Sequence, residues 1–202
     1  MGTVTLTKGA SHSLSKNRPL QARITWPALT DYDAGAEIIY KNGTRESIAT
    51  FPTVTASKQI ISPKKLTSRN GTVRHGGDAV RGVGTATETI TVDPDADIES
   101  IAFWAYSAQS NGTGSFREYA VTMEVTDGTD TVRIDASDAS DNPRIYTCVP
   151  GMITFTDGVP KVDRLEMYSE PTSENRPSFR QKGLFKQKTV FVVDGGDKNG
   201  FK

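Results

Sequence analysis

Thr122-Met123-Glu124-Val125-Thr126-Asp127-Gly128-Thr129-Asp130-Thr131-Val132-Arg133-Ile134 decides the fold class of this 202-residue chain. Two runs in which apolar and polar residues alternate are joined by Asp-Gly, the dipeptide that favours the tight turns of β-hairpins. A second stretch of the same kind runs from Ile153 to Leu165 and turns at Asp157-Gly158. The alternation assigns Val125, Val132, Ile134, Ile153, Phe155 and Val162 to a core rather than to a ligand pocket.

Outward from these hairpins the pattern repeats. Short runs rich in Val, Ile, Thr and aromatics recur between Gly, Asn, Asp and Pro, and helical periodicity is almost absent. Strands are predicted over Val4 to Leu6, Leu20 to Trp26, Ala36 to Tyr40, Ile48 to Phe51, Thr87 to Val92, Ser100 to Ala105, Glu118 to Thr126, Asp130 to Ile134, Ile145 to Thr147, Met152 to Thr156, Lys161 to Tyr168 and Thr189 to Val193. Many short strands with regular turn signals specify an all-β chain, a two-sheet antiparallel β-sandwich with few or short helices. Residues 1–168 form that domain. Residues 169–202 read as a linker carrying Pro171, Ser173, Asn175, Pro177 and Ser178, then a basic extension. In it, Val190 to Val193 either returns as an edge strand or stays mobile.

Composition excludes several classes. The chain has 24 basic and 24 acidic side chains, but they are unevenly placed: 12 against 5 in residues 1–85, 5 against 16 in 86–170, and 7 against 3 in 171–202. The basic charges are scattered singly rather than gathered on a helix with interleaved aromatics, so attraction between the segments is favoured over a nucleic-acid surface. The apolar run Ile101-Ala102-Phe103-Trp104-Ala105 is far shorter than the ~20 residues of a membrane span. Residues 1–8 lack a secretory pattern, and Leu6 is wrong for myristoylation. Cys148 is the only cysteine, which points to a core thiol and a reducing, cytoplasmic address. Asn-Gly-Thr at Asn42, Asn70 and Asn111 reads as turn chemistry rather than as glycosylation acceptors.

No catalytic constellation is present. His12 and His75 are the only histidines, and neither falls in a nucleophile elbow or a zinc-protease helix motif. Gly82-Val83-Gly84 lacks the third glycine of a dinucleotide loop. The remaining candidates are carboxylates. Asp31-Tyr32-Asp33 spaces two hard oxygen ligands on a loop, and Asp78 sits in Asn70-Gly71-Thr72-Val73-Arg74-His75-Gly76-Gly77-Asp78-Ala79-Val80-Arg81-Gly82, whose glycines are expected to supply positive φ. The tail Asp194-Gly195-Gly196-Asp197 resembles an EF-hand opening but has no Glu at its twelfth position, and Asp135, Asp138 and Asp141 read as a solvated turn.

Taken in order, Leu6-Thr7-Lys8-Gly9, Ser13-Leu14-Ser15-Lys16, Trp26, Asp31-Tyr32-Asp33-Ala34, the glycine stretch Gly71 to Gly82, and Glu88-Thr89-Ile90-Thr91-Val92-Asp93 resemble the TerD family of tellurium-resistance and stress-response proteins. The resemblance covers roughly residues 1–168. It implies a cytoplasmic, non-catalytic β-sandwich that binds Ca²⁺ through loop carboxylates and works with protein partners in a stress-response assembly. Residue by residue, it implies Asp31, Asp33, Asp78 and Glu88 as metal ligands.

This chain departs from the family where the metal is held. Gly35 replaces a third Asp, Ala79 replaces Asn, Ala86-Thr87 replace two acids, and Lys64-Lys65 stand where an Asn pair is found. Each loss removes an oxygen, and the lysines are expected to bring positive charge close to the ion. Two readings follow: one weakened Ca²⁺ site, or a site that has lost the ion and is stiffened by Arg or Lys pairing. A metal-independent adaptor using its acidic middle or basic tail is the alternative from another class.

Overall fold

The Asp127-Gly128 hairpin forms as expected, joining β11 (Thr122–Thr126) to β12 (Thr131–Asp135) with Val125 opposite Val132 and Gly128 at φ 85°. The computed structural model describes residues 2–79, 82–107, 115–182 and 188–200. Strands are numbered in chain order. One six-stranded sheet places this hairpin beside β1 (Thr3–Thr5), β3 (Leu20–Pro27), β8 (Val73–His75) and β9 (Thr85–Val92), in the order β1-β12-β11-β3-β9-β8. The second sheet contains β2 (Ser11–Ser13), β4 (Asp33–Tyr40), β5 (Arg45–Ala49), β10 (Ile98–Tyr106), β13 (Thr147–Thr156) and β14 (Val159–Tyr168), in the order β2-β14-β13-β10-β4-β5. All pairings within the two sheets are antiparallel except that of β1, which lies parallel to β12. No helix occurs among the described residues, and none is long and apolar enough to cross a membrane.

Side-chain alternation builds the core between the sheets. Ala22 and Ile24 of β3, Ile90 of β9, Val125, Val132 and Ile134 from one sheet meet Ile38, Ile101, Phe103, Ile153 and Val162 from the other, all of them fully buried. Cys148 lies in the same core. Phe155 is half-buried against it. The turns at Asn42 and Asn70 are Asn-Gly turns, with Gly43 at φ 80° and Gly71 at φ 78°, and each asparagine Oδ1 accepts the amide proton of the residue two positions on. The turn expected at Asn111 lies outside the described residues.

Three strand boundaries differ from expectation for identifiable reasons. The strand predicted from Glu118 starts at Thr122, because the Ser115 carbonyl takes both the Glu118 and Tyr119 amide protons and holds residues 116–119 in a turn. Ile145 to Thr147 and Met152 to Thr156 were expected as two strands. Thr147 and Met152 to Thr156 instead belong to a single β13 that carries Pro150 in its interior, which is possible because the pairing with both neighbours shifts register there, whereas Ile145 and Tyr146 precede it. Phe51, expected to end a strand, instead follows β5 and sets its ring against Trp104 and Tyr106.

The strands of the extension pair outside both large sheets. β15 (Ser178–Lys182) and β16 (Lys188–Val192) form a ribbon, and β17 (Lys198–Asn199) joins β6 (Thr53–Val54) and β7 (Ile60–Ser62) in a three-stranded sheet. This layer covers the outer face of the second sheet: Phe179 packs with Ile39 and Ala102, while Val193 packs with Trp104 and Tyr106. The run Ile101 to Ala105 therefore lacks polar alternation because both of its faces are buried. Arg176, 4% exposed, fastens the layer. Its guanidinium donates to Asn199 Oδ1, Ser47 Oγ and the Phe51 carbonyl, and lies 5.0 Å from the Phe51 ring centre and 5.5 Å from that of Trp104.

Candidate metal centre

β9 turns Ala86, Glu88, Ile90 and Val92 inward, so its strand period places one carboxylate in the sandwich interior. Glu88 is 1% exposed. A buried carboxylate needs donors, and Glu88 has three. Oε2 accepts the Ala34 amide proton at 2.7 Å and lies 3.2 Å from His75 Nε2, and Oε1 accepts the Ala79 amide proton at 2.9 Å. Glu88 thereby ties the start of β4 and the loop after β8 to β9.

His75 was not anticipated as part of this site. β8 turns it inward beside Val73, with its side chain fully buried. The Gly77 amide donates to Nδ1 at 3.0 Å, which leaves the ring proton on Nε2, 3.2 Å from both the Ala34 carbonyl and Glu88 Oε2. Gly77, at φ 109°, adopts the left-handed conformation expected of the glycine stretch. Gly76 does not; its role is close approach, since its amide donates to the Thr89 carbonyl at 2.8 Å and a Cβ there would lie 3.3 Å from that oxygen. Val80 and Arg81 of the stretch lie outside the described residues.

Of the four carboxylates suggested by sequence, three come together. Each of Asp33, Asp78 and Glu88 offers an oxygen within 4.8 Å of the others. Asp33 and Glu88 are buried and Asp78 is exposed, so the cluster is open to solvent on one side. Asp33 accepts from Thr50 Oγ1 at 3.2 Å. Asp31, half-buried one residue before the inward Tyr32, does not belong to the group. Three carboxylates at this separation repel one another, least at exposed Asp78 where solvent screens the charge, and a divalent cation would offset that repulsion. The all-oxygen donor set fits a hard cation such as Ca²⁺, which can complete its shell with backbone carbonyls and water.

The departures from the TerD pattern have structural counterparts. Gly35 pairs with Trp104 across β4 and β10, and a Cβ on it would lie 2.1 Å from the indole. No aspartate fits there. Thr87 faces outward and shares a 2.9 Å hydrogen bond with Thr25, so an acid at 87 would leave the cluster. Lys65, expected to bring charge near the ion, directs its ammonium to Glu46 Oε1 at 3.1 Å. Comparison with protein-family models, curated proteins and solved structures finds no match to this chain.

Proposed function

We propose that this chain is a non-catalytic, TerD-like β-sandwich that holds one Ca²⁺ weakly between Asp33, Asp78 and Glu88 and acts by presenting the loops so ordered to protein partners in a stress-response assembly. The observation that carries this reading is the convergence of three carboxylates from three separated segments within 4.8 Å of one another. The ion would join the start of β4 to the loop after β8, the two segments that Glu88 already tethers. Three side-chain ligands are few for an ion that takes six to eight oxygens, so the affinity expected is low. Calorimetric titration with a paired thermal melt tests the reading. Saturable heat and a rise in Tm at millimolar Ca²⁺, both lost in Asp78→Asn, support it; no heat and an unchanged Tm remove the ion.

One observation favours a metal-independent module instead. Both Glu88 oxygens already accept protein hydrogen bonds, so the cluster serves as a clamp without an ion. On this reading partner capture survives chelation of Ca²⁺, and the recognition surface is the acidic middle of the chain or its basic extension. Deleting residues 171–202 cannot separate the two readings, because Arg176, Phe179 and Val193 cover the second sheet. Capture measured with and without a chelator can.

A further inference from the structure

A second concave site lies at the opposite end of the sandwich. Asp33 opens β4 and Lys41 directly follows it, which separates the carboxylate cluster from this hollow by roughly 25 Å of strand. The hollow has a volume of about 410 Å³ and is formed by the β2–β3, β4–β5, β9–β10 and β13–β14 connections. Lys16, Arg18 and Lys41 line it together with Phe155, Asp95 and Asp157.

Its charges are not spent on one another. Most ion-paired cations of this chain, such as Arg74, Arg133 and Arg164, sit on strands beside acids, whereas Lys16, Arg18 and Lys41 make no ion pair among the described residues. Among the described residues, Arg18 donates only to the Thr129 hydroxyl. Asp95 is occupied by Asn70, by the Thr72 hydroxyl at 3.0 Å and by the Asp97 amide at 2.9 Å. Asp157 makes no ion pair among the described residues and lines the hollow. Local backbone conformation holds the rim: Asn17, between the two cations of its loop, has φ 58°, and Asp157-Gly158 have φ 52° and 78°. Such left-handed residues are favoured for Asn, Asp and Gly. Phe155 supplies the hollow's one aromatic surface, half-buried on the core.

We propose that this hollow binds a phosphate monoester that carries a flat ring, the chemistry of a nucleoside 5′-monophosphate. Lys16, Arg18 and Lys41 take the phosphate, the carboxylate of Asp157 accepts from a sugar hydroxyl, and the ring lies on Phe155. Free phosphate would leave most of the volume and the Phe155 face unused. Stacking on one aromatic ring tolerates any base. This site is independent of the metal reading.

The test is a nuclear magnetic resonance titration of the ¹⁵N-labelled full chain with adenosine, guanosine, cytidine and uridine 5′-monophosphates, and separately with adenosine and inorganic phosphate. At least one monophosphate is expected to give saturable shifts at Lys16, Arg18, Lys41 and Phe155, with adenosine and inorganic phosphate each binding about tenfold or more weakly. Arg18→Ala and Lys41→Ala, both exposed, are expected to lower that affinity about tenfold with Tm unchanged. Phe155→Leu, which keeps an apolar side chain on the core, is expected to reduce it to that of inorganic phosphate. Failure of all four monophosphates to bind at about 10 mM overturns the proposal. So does equal binding of inorganic phosphate, or wild-type affinity in Phe155→Leu.

Discussion

Gly35 and Trp104 face each other across β4 and β10 so closely that a Cβ on the glycine would stand 2.1 Å from Cζ2 of the indole. Trp104 is fully buried beneath the extension, with Phe51 edge-on at 5.8 Å, so the ring has no free direction in which to retreat. The glycine is needed for space rather than for its backbone freedom, since its φ is not positive.

Gly35→Asp, the substitution that would supply an acid where the TerD pattern has one, is therefore expected to destabilise the fold by about 3 kcal/mol or more, as overpacking and a buried charge combine. Urea denaturation measures this. A variant of wild-type stability that binds Ca²⁺ more tightly would contradict the packing argument.

Glu88 and Asp78 should behave differently although both belong to the cluster. Glu88→Ala leaves the Ala34 and Ala79 amides without their acceptor and takes one of two acceptors from His75 Nε2, and is expected to cost about 3 kcal/mol. Asp78→Asn, at an exposed position, is expected to change stability by less than about 1 kcal/mol while abolishing any response to Ca²⁺. Thermal melts of both variants, with and without the ion, separate the two roles.

Asp127 binds three backbone amides: Ser15 on one oxygen at 2.9 Å, and Thr129 and Asp130 on the other, each at 2.8 Å. Burial pushes its carboxyl up, but these donors outweigh burial and hold it well below the usual carboxylate range. A depressed acid contributes stability that is present above its unfolded-state pKa and is lost as pH falls through the lower, folded value. Asp127→Ala is expected to cost about 2 kcal/mol at neutral pH, with the difference from wild type shrinking in acid. Denaturant midpoints at pH 7 and in acid report both effects.

Glu37 shifts the other way. Burial raises its carboxyl to about 8, with Arg176 and the Ser47 hydroxyl opposing the rise. The folded state then holds a proton that the unfolded chain has released, so this group's contribution is lost as pH climbs from the normal glutamate range to about 8. The stability of wild type relative to Glu37→Gln is expected to fall between pH 5 and pH 9. Urea titrations across that range check the sign; a flat or rising difference would contradict it.

Period-two alternation and the Asp-Gly and Asn-Gly dipeptides determined the all-β class, the β11–β12 and β13–β14 hairpins and most of the core, because strand sidedness and tight turns depend on neighbours in sequence. Short strands such as β2, β8 and β17 leave no such signal, since two or three residues show no period. The same limit applies to the candidate centre. Alternation can turn Glu88 inward, but it cannot say that Ala34, 54 residues away, will donate to it, or that His75 will close the other side. Nor does local pattern reveal that residues 176–182 and 188–199 form a layer over Trp104. That depends on Arg176 reaching the Phe51 carbonyl 125 residues away and on apolar surface that only the assembled second sheet presents. Sequence determined which face each side chain takes; tertiary structure alone decided what meets that face, because burial and charge convergence arise between segments that the chain keeps far apart.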